Sequence, residues 1–284
     1  MNESICRMAE TRYGIKTDPD DIEKLINHLR ESGIESASIS NGAYNENNLI
    51  ERFFSSGEAA AFLTVNETYF FREPIHFTLL QDLLTSFEQS TIRICSAATS
   101  SGCEAYSIAM MLDMYNKNTE KPLFYQIDAF DINPNVIDTA DKGIYNQRTL
   151  RDDGSCFGFL TDHYLKKNEN KVQVEKELKN NINFFVHNLL DELNPDYYDI
   201  IFFRNAFIYF LQDYREKVLT NLSNALKENG FLIMGISETA SVKHHHLEQK
   251  IKRLLPQKED VFFFQKNTYK KPVMPEIFTN ALLV

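Results

Sequence analysis

From Thr91 to Gln265 short apolar runs alternate with stretches of helical periodicity, and that alternation restricts the chain more than any other feature. Strands that recur between helical segments of ten or more residues are the mark of βα units around a mostly parallel sheet. The runs predict strands at Ile92–Ala97, Phe124–Phe130, Ile182–Val186, Asp199–Phe203 and Phe231–Ile236, with Val261–Gln265 as a late edge strand. Helices are predicted at Glu104–Tyr115, Pro134–Lys142 and Tyr214–Glu228. The piece from Arg148 to Asn181 fits the alternation poorly; its sole strand-like run is Lys171–Val174, and it reads as an insertion.

The first sixty-odd residues read differently, as helix. Asp18 is a natural N-cap, with Pro19 at the first helical position and Asp20 and Asp21 in the first turn. Ile22, Leu25, Ile26 and Leu29 follow at helical spacing, and Gly33 is the expected stop. A second helix is expected from about Asn48 to Leu63, with Leu49, Ile50, Phe53 and Phe54 as its apolar face and a polar, turn-rich stretch from Ser36 to Asn47 before it. The predicted organisation is a helical domain over 1–64, a linker over 65–90, a doubly wound α/β domain over 91–266 with its insertion at 148–181, and a tail over 267–284.

Charge and composition bound the function. The 284 residues carry a formal net charge of −10, which disfavours phosphate backbones and sets general nucleic-acid binding aside. No apolar run approaches the length needed to span a bilayer, and MNESICRMAE lacks a signal-type apolar stretch. Cys6, Cys95, Cys103 and Cys156 lie far apart without metal-type pairing, so reduced thiols in a cytoplasm are expected. His244-His245-His246 reads as a solvated loop, since adjacent residues on one element point different ways and no acid pair stands nearby in sequence. The sequence therefore assigns no metal site.

Four stretches carry candidate chemistry. Ser96–Gly102 links the first strand to its helix through small residues, which suits either a ligand loop at a helix N-terminus or an ordinary βα turn. With one glycine it is not a dinucleotide fingerprint. Asp131 ends the next strand, where an acid accepts ribose hydroxyls in nicotinamide and S-adenosylmethionine (SAM) folds; the plainer alternative is a helix cap before Pro134. Arg204-Asn205 follows the apolar Ile200–Phe203 at the same sheet edge, as a crevice pair or as a structural ion pair. Asn188 follows the Ile182–Val186 strand at a comparable position, so the two amides are expected to converge on one ligand. The last stretch, Thr64–Pro74, precedes the sheet and reads by spacing alone as structural.

Taken in order, Thr64–Glu73, Ser96–Ser107, Asp131-Ile132-Asn133, Arg204–Phe210 and Lys227–Glu238 resemble the motifs of the chemotaxis-receptor glutamate methyltransferase family, CheR. The resemblance covers roughly residues 60–266. It implies a seven-stranded-type methyltransferase sheet behind a small all-helical N-terminal domain, with SAM as cofactor and S-adenosylhomocysteine (SAH) as product. Carried over, Asn66, Thr68 and Arg72 reach the cofactor from the linker, Glu104 meets it at the first loop, Asp131 holds the ribose, and Asn188, Leu189, Asn205 and Ala206 line the crevice. Arg72 is the candidate catalytic residue, because a guanidinium grips a carboxylate of cofactor or substrate in a bidentate fork. The implied substrate is an acidic protein, a chemoreceptor cytoplasmic domain in the family's usual case, methylated by a cytoplasmic monomer. Alternatives on the same fold are another protein or small carboxylic acid as acceptor, or a SAM-sensing module without turnover. Cys103 stands where the family usually has the first of two glutamates, and residues 1–64 hold eleven acids and six bases.

Overall fold

A computed structural model describes residues 2–31, 46–254 and 259–267. Its centre is a seven-stranded sheet of β1 (Thr91–Ala97), β2 (Phe124–Asp131), β6 (Ile182–Val186), β7 (Tyr198–Phe203), β8 (Leu226–Met234), β9 (Leu247–Leu254) and β10 (Glu259–Lys266). The order is β6-β2-β1-β7-β8-β10-β9, and only β10 runs antiparallel to its neighbours. Strand order reverses beside β1, which pairs Ile94–Ala97 with Ile200–Phe203 on one side and Thr91–Ala97 with Phe124–Phe130 on the other. In open α/β sheets the crevice beyond such a switch point is where ligands bind.

Both faces of the sheet are covered, as the near-continuous apolar strands require. On one face Cys95, Ala97, Ile201, Phe203 and Met234 pack against the N-terminal helices. On the other, Ile92, Ile94, Ile200, Phe202 and Ile233 pack against α5 (Ile75–Leu84) and α6 (Cys103–Lys117). The two sets alternate along each strand, as the pleat demands.

The N-terminal helices are α1 (Asn2–Tyr13), α2 (Pro19–Glu31), α3 (Glu46–Ser55) and α4 (Ala60–Leu63). The Asp18 carboxylate accepts the Asp20 N–H at 2.9 Å, so α2 starts as expected, and Ile22, Leu25, Ile26 and Leu29 are buried. The predicted stop at Gly33 and most of the polar Ser36–Asn47 stretch lie outside the described residues. The single helix expected over 48–63 is two helices. Gly57 separates them at φ +79°, and a Cβ there would meet Pro134 at 3.3 Å, so the break also lets the chain pass α7 (Pro134–Lys142) closely.

Three other expectations needed correction. The helix predicted to reach Glu228 is α10 (Gln212–Ala225); it ends early because Leu226 already pairs with Tyr198 of β7. The segment Val261–Gln265 is not at the edge: β10 lies between β8 and β9, and β9 forms the edge. Lys250, Lys252 and Arg253 make β9 read as polar, which is how exposed edges avoid pairing with other chains. In the insertion, β5 (Lys171–Val174) is joined by β4 (Leu165–Asn168) and by β3 (Ile144–Asn146), which precedes the insertion, in a separate three-stranded antiparallel sheet. No helix among the described residues is long and apolar enough to cross a membrane.

Candidate active site

The loop after β1 is built for close backbone approach. Ala98, Ser100 and Gly102 have φ of +56°, +52° and +86°. Only glycine fits at 102, because a Cβ would stand 2.7 Å from the Ala140 Cβ and about 3 Å from the Phe184 ring. Thr99 N–H donates to the Phe130 carbonyl at 2.9 Å and Ser100 N–H to Asp131 Oδ2 at 2.9 Å, which ties the loop to the end of β2. Ser100 Oγ donates to the Asn66 carbonyl at 2.9 Å, which brings the linker down onto the same loop.

Asp131 is not the cap of α7. That role belongs to Asn133, whose Oδ1 accepts the Asn135 N–H at 2.9 Å. Asp131 instead stands 7% exposed at the cavity wall, accepting N–H groups from Ser100 and, at 3.0 Å, Asn133. Burial pushes its carboxyl above the usual range, with the backbone N–H groups opposing.

A crevice opens outside β1, β2 and β7, and Asn66, Thr68, Arg72, Glu104, Asp131, Asn188, Leu189, Asn205 and Ala206 all lie on its wall. Five separate chain segments therefore converge on one crevice. Two amides are already engaged there: Asn188 Nδ2 donates to the Arg12 carbonyl at 2.6 Å, and Asn205 Nδ2 to Glu73 Oε1 at 3.0 Å. Arg72 has no carboxylate within ion-pair distance among the described residues. Its Nη1 donates to the Glu67 carbonyl at 3.0 Å, and its guanidinium lies 5.5 Å from the centre of the Tyr69 ring. It remains a cation available to an anionic ligand.

Sequence reasoning missed the contribution of the α1–α2 connection. Tyr13, Ile15 and Lys16 line the cavity as well. Ile15 bridges to Phe210, Lys16 N–H donates to the Tyr209 carbonyl at 3.1 Å, and Leu211 N–H to the Gly14 carbonyl at 2.8 Å. Nothing local in Gly14–Lys16 signals this contact, because its partner lies almost two hundred residues away in sequence. His187 also lines the cavity, its ring edge-on to Phe130.

Beneath the cavity lies a buried charge cluster. The Arg204 side chain is 2% exposed; Nη1 donates to Glu104 Oε2 at 3.0 Å, and Nη2 to Glu73 Oε2 at 3.3 Å and to the Arg72 carbonyl. The ion-pair alternative for Arg204 is thus realised, with two acids rather than one. Glu104 also accepts from Ser96 Oγ at 2.7 Å, and burial raises its carboxyl pKa despite Arg204. Burial acts upward on Glu73 too, but there His76, the Arg204 charge and Asn205 outweigh it and hold the carboxyl well below the usual range. Cys103, by contrast, is an inert thiol: burial pushes it up to about 12.

His76 provides a pH signature. Its Nδ1 stands 3.3 Å from Glu73 Oε2, and burial followed by the Arg204 charge pushes its pKa down to about 4 against the pull of Glu73. The unfolded chain protonates this ring below about pH 6.5, so between pH 6.5 and about 4 it binds more protons than the fold does. Stability therefore falls as pH drops through that window, by about 3 kcal/mol from this group. His76→Gln is expected to flatten this part of the stability–pH curve, measured by urea unfolding at successive pH values; an unchanged slope would show that His76 is not the group responsible.

Known proteins extend the picture. The profile described as "CheR methyltransferase, SAM binding domain" matches residues 66–254. A "Chemotaxis protein methyltransferase" of Escherichia coli strain K12 is 35% identical over 240 residues, covering 80% of this chain and 77% of that protein. One of the same description from Borreliella burgdorferi is 36% identical over 188 residues; the match covers 62% of this chain and 65% of that protein, just under two thirds of its length. Among solved structures, a putative SAM-dependent methyltransferase from Methanococcus maripaludis aligns with TM-score 0.41 at 10% identity, covering 71% of this chain and 89% of that one.

Proposed function

This chain belongs to the CheR methyltransferase family, and on that premise we propose that it methylates glutamate side chains of a chemoreceptor-like protein, using SAM and releasing SAH. The observation that carries the reading is the convergence of nine candidate residues from five chain segments on one cavity at the sheet's switch point. The donor set fits the cofactor. An acid at the end of β2 suits a ribose diol, and Arg72 on the same wall suits a carboxylate. When bound, SAM supplies an electrophilic methyl group on a sulfonium, which the substrate carboxylate oxygen attacks as the S–CH3 bond breaks.

The work left to the protein is modest. A glutamate carboxylate is already ionised near neutral pH, so no general base is required. Asp131, Glu104 and Arg72 are the charged groups that would orient the reactants, with Ile15 and Leu189 as apolar wall in the same cavity. Holding nucleophile and electrophile in near-attack geometry supplies up to about 7–11 kcal/mol of the barrier reduction. The helical segment 1–64 and the linker 65–90 form the substrate-facing side in this reading, and the enzyme acts as a cytoplasmic monomer.

The test is to incubate the chain with methyl-labelled SAM and chemoreceptor cytoplasmic domains and look for base-labile methyl ester. Label on the receptor is expected; SAH binding without ester formation on any receptor domain would favour a sensor instead. Asp131→Ala is expected to weaken SAH binding by about 1–3 kcal/mol in calorimetry. Native affinity in the folded variant would remove Asp131 from the ribose role.

A further inference from the structure

We propose that Glu216, His244 and His245 form a binding site for a divalent transition-metal ion of the zinc class, on the face of the molecule where α10 meets the connection between β8 and β9. In sequence the three histidines lack an acid partner; the fold supplies one from a helix almost thirty residues earlier. Donor atoms of the three side chains lie within 4.8 Å of one another.

The site has a fixed part and an adaptable part. The His244 side chain is fully buried, its Nε2 3.2 Å from Thr220 Oγ1 and 3.6 Å from Glu216 Oε1. Glu216 and Thr220 are four residues apart on α10 and so share one face of it. Glu216 and His245 are exposed and rotate at little cost. Around zinc, nitrogen and oxygen donors at about 2.0–2.2 Å stand roughly 3.3 Å from each other, so binding draws these donors closer than the 4.8 Å within which they lie here. One contact must open. His246 N–H points at His244 Nδ1 at 3.3 Å, and a neutral ring that ligates through Nε2 carries its proton on Nδ1.

The histidine cluster also favours the ligand form. Ring centres are 4.6 Å apart for His244 and His245 and 3.9 Å for His245 and His246, although adjacent residues were expected to diverge. Three cationic rings at that spacing would repel. Two imidazoles and one carboxylate match zinc, nickel or copper rather than magnesium or calcium, which prefer all-oxygen sites. With three protein ligands, a fourth position is left for water or for His246.

The test is independent of methyl transfer. The full chain, stripped with chelator, is titrated with Zn2+ by calorimetry and with Co2+ by visible absorption. The expected result is one saturable equivalent, tetrahedral-type cobalt bands and a rise in Tm that chelator reverses. The Glu216→Ala/His245→Ala variant changes exposed side chains only, and is expected to lose at least thirtyfold in affinity and the Tm rise with it. Absence of a saturable equivalent in the wild type would overturn the site. So would wild-type affinity in the double variant, which would place the metal elsewhere on the chain.

Discussion

Replacing Arg204 by methionine is expected to lower stability by about 3–5 kcal/mol, because it strands two largely buried carboxylates, 19% and 14% exposed. Glu73 and Glu104 each hydrogen-bond this one guanidinium, which is itself 2% exposed and packed 5.5 Å from the centre of the Phe77 ring. Methionine conserves most of the volume, so the loss measures charge rather than a cavity. Urea unfolding should show a lower midpoint with an unchanged m value. Arg204→Lys should recover only part of the loss, since a single ammonium cannot reproduce a fork that reaches Glu104, Glu73 and the Arg72 carbonyl together. The decisive comparison is Arg204→Met with Glu73→Gln and Glu104→Gln added. If uncompensated charge causes the loss, neutralising both acids restores most of the stability. A single-variant cost below about 1 kcal/mol would show that water already reaches these carboxylates.

That cluster also marks where reading the sequence stops. Arg204 after four apolar residues announces a charge needing a partner, but its partners come from positions 73 and 104, and nothing local selects them. The central parallel strands were legible because both faces are buried, so Ile92–Ala97 and Asp199–Phe203 read as near-continuous apolar runs. The edge strand β9 was not, because solvent exposure filled it with lysines and arginine. The cavity wall divides the same way. Asp131 and Asn205 sit at strand ends, where fold class predicts ligands, whereas Ile15 and Lys16 are held at the cavity by backbone contacts with Tyr209 and Phe210. Local periodicity predicts elements; it carries no information on which distant backbone a loop will meet.

Glu238→Ala should have the second large effect, and it acts through backbone rather than through a ligand contact. The Glu238 side chain is buried, and its two oxygens accept N–H groups from Asn205 at 2.7 Å, Gly235 at 3.2 Å and Ile208 at 3.3 Å. These bonds hold the loop after β7, where Asn205 sits at φ +58°, a conformation costly for a side-chain-bearing residue unless its surroundings impose it. Removing the carboxylate leaves those donors buried without acceptors, an expected loss of about 2–4 kcal/mol. Because Asn205 and Ala206 line the cavity, SAH affinity should fall about tenfold or more with it, an effect of roughly 1.4 kcal/mol. Gln cannot substitute: one of its two terminal atoms is a donor and would face another donor. Gly235→Ala tests the same hub from the opposite side, since a Cβ there would stand 2.6 Å from Glu238 Oε2 and 3.0 Å from Asn205 Nδ2. Both variants should lose stability and SAH binding together in thermal unfolding and calorimetry. A Glu238→Ala protein that is destabilised yet binds SAH with native affinity would separate the hub from the cavity, and Asn205 would then keep its conformation through Glu73 alone.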